Sequence, residues 1–228
     1  MKYYAYYPGC SLEATALPIA LSTEAITKAL DMELIELDNW TCCGSTPYGG
    51  IDEMEAMAVA TRNLALAEKT GLDLVAPCSS CYLTLKKAQT TFKENAKVRG
   101  KITEALAAAN LKYEGNGRVR HLVEVLFNDI GTEAIAAKVK KKLTGLKVAC
   151  YYGCQQTRPK YGFDDPEFPQ WLDLLALSLG AEVVPYPLKA RCCGGALVIS
   201  QEDVALELIY KLLANAADNG AQCLVTTT

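Results

Sequence analysis

Five cysteines fall within the first 81 residues, at Cys10, Cys42, Cys43, Cys78 and Cys81, with 31, 0, 34 and 2 residues between successive members. Cys154, Cys192 and Cys193 repeat the opening of that series 144 and 150 residues later. Thiolates select soft and borderline metals. The single histidine, His121, leaves little imidazole for a mixed site. An all-thiolate supply favours iron–sulfur clusters, or zinc in an all-cysteine site. Five sulfurs are one more than a four-iron cubane or a zinc ion needs. Adjacent cysteines point apart, so Cys42-Cys43 suits two neighbouring irons bridged by one thiolate better than it suits one ion. Gly44 and Gly194-Gly195 let backbone approach a metal and give amide donors to sulfur. Zinc stays open as the rival, because Cys-x-x-Cys is a common zinc half-site, although zinc patterns usually carry two such pairs.

The rest of the composition narrows the setting. Ten cysteines would suit a disulfide framework only in an oxidising compartment, and the opening MKYYAYYPGCSLE reads as a strand, without the long apolar region of a signal peptide. The chain is therefore expected in the cytoplasm with its thiols reduced. A hydrophobic fraction of 50% and a charged fraction of 21% are those of a folded globular chain. The net charge of −3, with both signs spread along the sequence, argues against a nucleic-acid partner. No stretch offers 18 uncharged apolar residues, so no membrane span is expected. There is no GxGxxG for a flavin or nicotinamide, EGNG being a turn, and no C-x2-C-x2-C run of a ferredoxin.

The elements that must position these cysteines repeat as well. KYYAYYPGCS matches LKVACYYGCQ, Cys42-Cys43-Gly44 matches Cys192-Cys193-Gly194, and LDLVAP matches CLVTTT. Each half reads strand, helix, strand, helix, strand. The first has strands at 2–7, 33–37 and 72–76, helices at 19–31 and 52–70, and a long helical stretch from 80 to 110. The second has strands at 146–151, 182–186 and 222–227, with helices at 167–179 and 201–218. Alternating strands and helices imply parallel sheets with helical crossovers, and ligands gather at the carboxyl ends of such strands. The expected fold is thus α/β, with two pseudo-symmetric repeats, each a small parallel sheet with flanking helices and its cysteines at the strand ends. The expected domains are a first repeat at 1–112, a connecting helical segment at 113–145 and a second repeat at 146–228. The matched spacing would place a further Cys-x-x-Cys just past Thr228, so the second repeat is expected to be incomplete in this sequence.

The pattern C-x31-CCG-x33-C-x-x-C followed by a second CCG resembles the CCG-domain proteins. YYPGCSLEATA, NWTCCGSTP, NLALAEKTGLDLVAPCSSCYLTLK and ARCCGGAL resemble the B subunit of heterodisulfide reductase across essentially the whole chain. The resemblance implies two domains, each holding a noncubane [4Fe–4S] centre on five cysteines and together cleaving a disulfide substrate. Cys10, Cys42, Cys43, Cys78 and Cys81 would hold the first centre. Cys154, Cys192 and Cys193 would hold part of the second. The family's partners would be a ferredoxin-like subunit of the same complex and, behind it, a flavin-bearing one. Electron-relay subunits of lactate-, glycolate- or succinate-oxidising complexes share the motif. A zinc-stabilised scaffold is the alternative of another class. Outside the motif, His121 is a candidate proton donor to departing thiolates. Lys189 and Arg191 flank the second CCG, where they could attract an anionic substrate. Tyr6, Tyr7, Tyr151 and Tyr152 are expected to pack around the sulfurs, and Cys150 and Cys223 to be buried packing residues.

Overall fold

The computed structural model describes residues 1–45 and 47–227. Thr46, within NWTCCGSTP, and Thr228, the last residue of the expected second repeat, lie outside the described residues. In chain order the first elements are β1 (Lys2–Tyr6), α1 (Leu17–Ala29), β2 (Met32–Glu36), α2 (Pro47–Ile51), α3 (Glu53–Thr70), β3 (Leu74–Ala76), α4 (Ser79–Glu94), α5 (Ala96–Ala108), β4 (Val119–His121) and α6 (Leu122–Val125). After a π turn at Leu126–Ile130 come α7 (Thr132–Lys138), β5 (Lys147–Cys150), α8 (Gly153–Thr157), α9 (Trp171–Ser178), β6 (Glu182–Val183), a 3₁₀ turn at Gly195–Leu197, α10 (Glu202–Asp218) and β7 (Cys223–Val225).

The chain divides into two compact units, Met1–Val125 and a second that begins at Leu126. The first holds a four-stranded sheet in the order β2-β1-β3-β4, and the second a three-stranded sheet in the order β6-β5-β7. Every pairing is parallel. This is the α/β architecture of two small parallel sheets that the sequence predicts. The stretch 113–145 contributes β4 and α6 to the first unit, and the π turn and α7 to the second.

Parallel strands covered on both faces read as continuous apolar runs, and Leu74, Val75 and Ala76 of β3 are all buried. Two local devices set the helices that frame the sulfurs. The Asp52 carboxylate accepts the N–H groups of Met54 and Glu55 at 2.7 and 3.0 Å and starts α3. Gly71, at φ 69°, ends it in the left-handed region. The helix expected from 80 to 110 is two helices. Asn95 leaves the helical region (φ −113°, ψ 100°), and its side-chain oxygen caps α5 by accepting from Lys97 and Val98. The second unit builds its core from Ala149, Tyr186, Leu212 and Ala216, and the Tyr186 hydroxyl donates to the Leu212 carbonyl at 3.0 Å.

Candidate metal centre

Each cysteine set lies at the carboxyl end of its sheet. Cys10 follows β1, Cys42-Cys43 follow β2, and Cys78 follows β3 as the residue before α4, with Cys81 in that helix's first turn. All five predicted residues of the first set therefore come to one end of one sheet. The Cys10 and Cys42 sulfurs are 3.8 Å apart, and those of Cys43 and Cys81 are 3.5 Å apart. Cys10 and Cys42 are exposed, Cys43 and Cys81 are buried, and Cys78 lies between these extremes. Cys81 also hydrogen-bonds Cys78, so Cys43, Cys81 and Cys78 form a row of sulfurs and Cys10 with Cys42 a pair. No group of three or more His, Cys, Asp or Glu side chains among the described residues is arranged to hold a single metal ion.

The local chemistry favours thiolates at two of these positions. Cys78 is held down to about 6 by hydrogen bonds from the Cys81 side chain and backbone, the Ser11 side chain and the Ser80 backbone, which outweigh its burial. Cys43 is lowered chiefly by the hydrogen bond with Cys81, with help from the Ser45 backbone and the Thr84 side chain. Cys81 is pushed up by the same two neighbours, so the shared proton stays on it. Cys10 is raised by burial and by Cys42. The thiolate is the form that binds metal, so hydroxyl and amide donors ready this donor set for a cationic group. Gly9, at φ 74°, makes room for the sulfurs, because a Cβ there would stand 2.7 Å from the Cys81 Sγ. The residues present fit an iron–sulfur group.

The second unit brings Cys154, Cys192 and Cys193 together in the same manner. Cys154 opens α8 just past β5 and is raised by burial and then by the charge of Cys192. The Gly194 N–H donates to the Cys192 sulfur at 3.3 Å. Cys150 is fully buried on β5, and burial pushes its thiol up to about 12. The expectation that Cys223 is buried is corrected, because it is exposed on β7, an edge strand of the three-stranded sheet.

His121 does not join the sulfurs. It ends β4, is fully buried, and packs edge-on against Tyr82 with ring centroids 5.7 Å apart. Burial holds it down to about 4, so the ring is neutral at neutral pH. Its Nδ1 accepts the Val123 N–H at 3.2 Å, and its remaining N–H serves the carbonyl of Pro77, the residue before Cys78. Lys189 is engaged as well, 2.8 Å from the Asp173 carboxylate and over the Tyr152 ring. Arg191 is exposed. The four tyrosines, alike in sequence, differ in place. Tyr7 donates to the Thr41 carbonyl at 2.6 Å and Tyr151 to the Arg191 carbonyl at 2.8 Å. Tyr152 pairs with Asp173, and Tyr6 lies near Glu36.

Two parallel α/β units, each presenting cysteines and positive-φ glycines at the carboxyl end of its sheet, define a protein with two cysteine sites. The cysteine-rich domain called CCG matches residues 4–86 and 148–228. The 8-methylmenaquinol:fumarate reductase membrane anchor subunit of Wolinella succinogenes is 36% identical over 227 residues, which is 99% of this chain and 78% of that one. A protein of Archaeoglobus profundus named as like the B subunit of heterodisulfide reductase is 33% identical, with coverage of 100% and 78%. The B subunit of the ferredoxin/F(420)H(2)-dependent CoB-CoM heterodisulfide reductase of Methanosarcina acetivorans is 28% identical, with coverage of 96% and 74%. The crystal structure of a hypothetical protein from Helicobacter pylori shares the fold, with a TM-score of 0.76 at 16% identity. That match covers 99% of this chain and 41% of the other. The chain belongs to the CCG cysteine-rich domain family, and heterodisulfide reductase B subunits are among its relatives, as the motifs predict. One relative is named a membrane anchor, yet no helix among the described residues is long and apolar enough to cross a membrane.

Proposed function

We propose that this chain is the iron–sulfur subunit of a heterodisulfide reductase-type complex, reductively cleaving a disulfide. Cys10, Cys42, Cys43, Cys78 and Cys81 hold a noncubane [4Fe–4S] centre, and Cys154, Cys192 and Cys193 belong to a second. Each repeat, 1–112 and 146–228, carries one sulfur set, and 113–145 joins them. The observation that carries this reading is the convergence of five sulfurs from three strand ends, two of them favoured as thiolates. Such a group, when bound, supplies electrons singly, and a disulfide consumes two. The chain's own part is to hold the sulfurs charged and in place: Ser11, Thr84 and the Ser45 and Ser80 amides serve thiolates. His121 enters as the group that holds the Pro77 carbonyl beside Cys78, its N–H already committed. Electrons arrive through a ferredoxin-like partner of the complex from a flavin-bearing one. Reduced, unpaired thiols suit the cytoplasm.

A second reading is favoured by the 36% identity to a fumarate reductase subunit. In it the same sulfurs hold an electron relay and no disulfide is cleaved. One experiment separates the readings: iron, acid-labile sulfide and zinc per chain on anaerobically purified protein, with electron paramagnetic resonance before and after adding a small thiol. Iron and sulfide in equal amounts, with a signal that changes on thiol addition, is the expected result. Iron with a thiol-insensitive signal would favour the relay. Zinc without iron would refute both.

A further inference from the structure

The two repeats share a device built on a tyrosine, which in the second repeat also hydrogen-bonds the Cys193 sulfur. Tyr7 and Tyr151 each stand three residues before the first cysteine of their set. Each hydroxyl donates to the carbonyl of the residue just before the CC pair, at 2.6 Å to Thr41 and 2.8 Å to Arg191. Partners and acceptors are 34 and 40 residues apart in sequence, so each bond ties the end of the first strand to the CCG loop. The glycine between tyrosine and cysteine is left-handed in both, Gly9 at φ 74° and Gly153 at φ 65°. A Cβ on Gly9 would lie 3.5 Å from the Tyr7 ring, and one on Gly153 3.4 Å from the Tyr151 ring and 3.3 Å from its hydroxyl. In both repeats the missing side chain lets the ring tuck under the turn that carries the first cysteine.

We propose that Tyr7 and Tyr151 are equivalent latches, positioning residues that fix the CC loop against the first-cysteine turn and so preset the sulfur geometry of each repeat. Their service to a metal group rests on the iron–sulfur reading, but the latch itself is a property of the metal-free chain. The latches differ in strength. In the first repeat Asn63 grips the same residue, accepting the Thr41 N–H at 2.9 Å and donating to its carbonyl at 3.0 Å. In the second, among the described residues, Tyr151 alone donates to the Arg191 carbonyl.

The test is pulsed alkylation of the reduced, metal-free chain with N-ethylmaleimide, read cysteine by cysteine by mass spectrometry, in Tyr7→Phe and Tyr151→Phe. Losing one hydrogen bond should speed local opening about five-fold. Cys43 in Tyr7→Phe and Cys193 in Tyr151→Phe should therefore label several times faster than in the unaltered chain, with the larger effect in Tyr151→Phe. Cys150, fully buried on β5 and off both loops, reports unfolding of the second unit, hydrogen exchange in peptides covering β3 reports unfolding of the first, and neither should change. Unaltered labelling of Cys43 and Cys193, or a matching rise in the control of the same unit (β3 exchange in Tyr7→Phe, Cys150 labelling in Tyr151→Phe) in a variant that still folds, would overturn the latch. If one variant fails to fold, the other repeat's variant decides. After reconstitution with iron and sulfide, each phenylalanine variant should shift its paramagnetic resonance g values at unchanged iron content, which a residue that only stabilised the fold would not do. Failure to take up iron would count against the iron–sulfur reading and leave the labelling result standing.

Discussion

Replacing Gly9 with alanine separates backbone strain from crowding of a sulfur, because the structure supplies its own control. Gly9 and Gly71 have nearly the same φ, 74° and 69°, so alanine at either costs about 1–2 kcal/mol for the left-handed conformation. The surroundings differ. A Cβ at Gly71 meets nothing within 4 Å, whereas one at Gly9 stands 2.7 Å from the Cys81 Sγ. Cys81 is buried in α4 against Cys43 and has little freedom to withdraw. Such overpacking adds roughly 1–3 kcal/mol. Gly9→Ala should thus destabilise the first unit by about 2–5 kcal/mol and Gly71→Ala by about 1–2 kcal/mol. The assay is urea unfolding of the metal-free chain, read by hydrogen exchange in peptides covering β3, which report the first unit alone. Gly9→Ala should also bind less iron on reconstitution, and Gly71→Ala should not. Equal stability losses together with equal iron uptake would refute the claim that Gly9 is reserved for the sulfur.

Two other outcomes follow from buried charge. His121 is held down to about 4 by burial, against an ordinary value of about 6.5, so its contribution to stability is complete above pH 6.5 and is lost as the pH falls towards 4. The loss amounts to about 3 kcal/mol at the acid end. His121→Gln should remove that part of the pH dependence of the urea midpoint, and parallel pH profiles for the two proteins would contradict it. Arg120 and Glu124 are both nearly fully buried and bonded at 2.9 Å, with Asp73 3.5 Å from the same guanidinium. Glu124→Ala takes the bonded carboxylate from a buried cation that keeps Asp73 and should cost up to about 3–5 kcal/mol, while Arg120→Met with Glu124→Leu should recover most of it. Thermal melts of the three proteins decide, and a mild single variant would show that the pair is solvated.

The cysteines, their place at strand ends and the repeat were legible because spacing and strand pattern are local signals. The fourth strand was not. Val119, Arg120 and His121 carry a cation and an imidazole into a strand buried along its length, and no apolar pattern marks it. What makes it tenable is non-local: Glu124 and Asp73 pair the guanidinium, and Pro77 takes the imidazole N–H. The break at Asn95 lies inside a run of good helix formers, and only its capping bonds reveal a boundary. α1 shows the limit of periodicity from the other side. Its spacing is helical, yet the residues it buries are Thr23 and Thr27, while Leu17 and Leu21 stay exposed.

The tyrosines show why residue type alone could not assign the site. Tyr6, Tyr7, Tyr151 and Tyr152 form two matched pairs in sequence, but the equivalent members are Tyr7 and Tyr151, because bonds 34 and 40 residues long pick them out. The same holds for the glycines after each CC pair. Gly44 and Gly194 have φ of 78° and 74°. A Cβ on Gly44 would lie 3.8 Å from the Ala56 Cα, and one on Gly194 3.3 Å from the Ala205 Cα. Both glycines thus press a loop against an alanine of the long helix that precedes the last strand of the repeat's central trio, Ala56 of α3 or Ala205 of α10. A fold alone does not require its loops to repeat at this level, since loops tolerate variation that strands and helices do not. Left-handed glycines also repeat after α3 and α10, at Gly71 and Gly220, but the left-handed glycine before the first cysteine, the tyrosine beneath it and the left-handed glycine after the CC pair recur as a set, and that set is confined to the segments that carry sulfur. A shared demand on sulfur placement accounts for that confinement, and packing of the two different sheets does not.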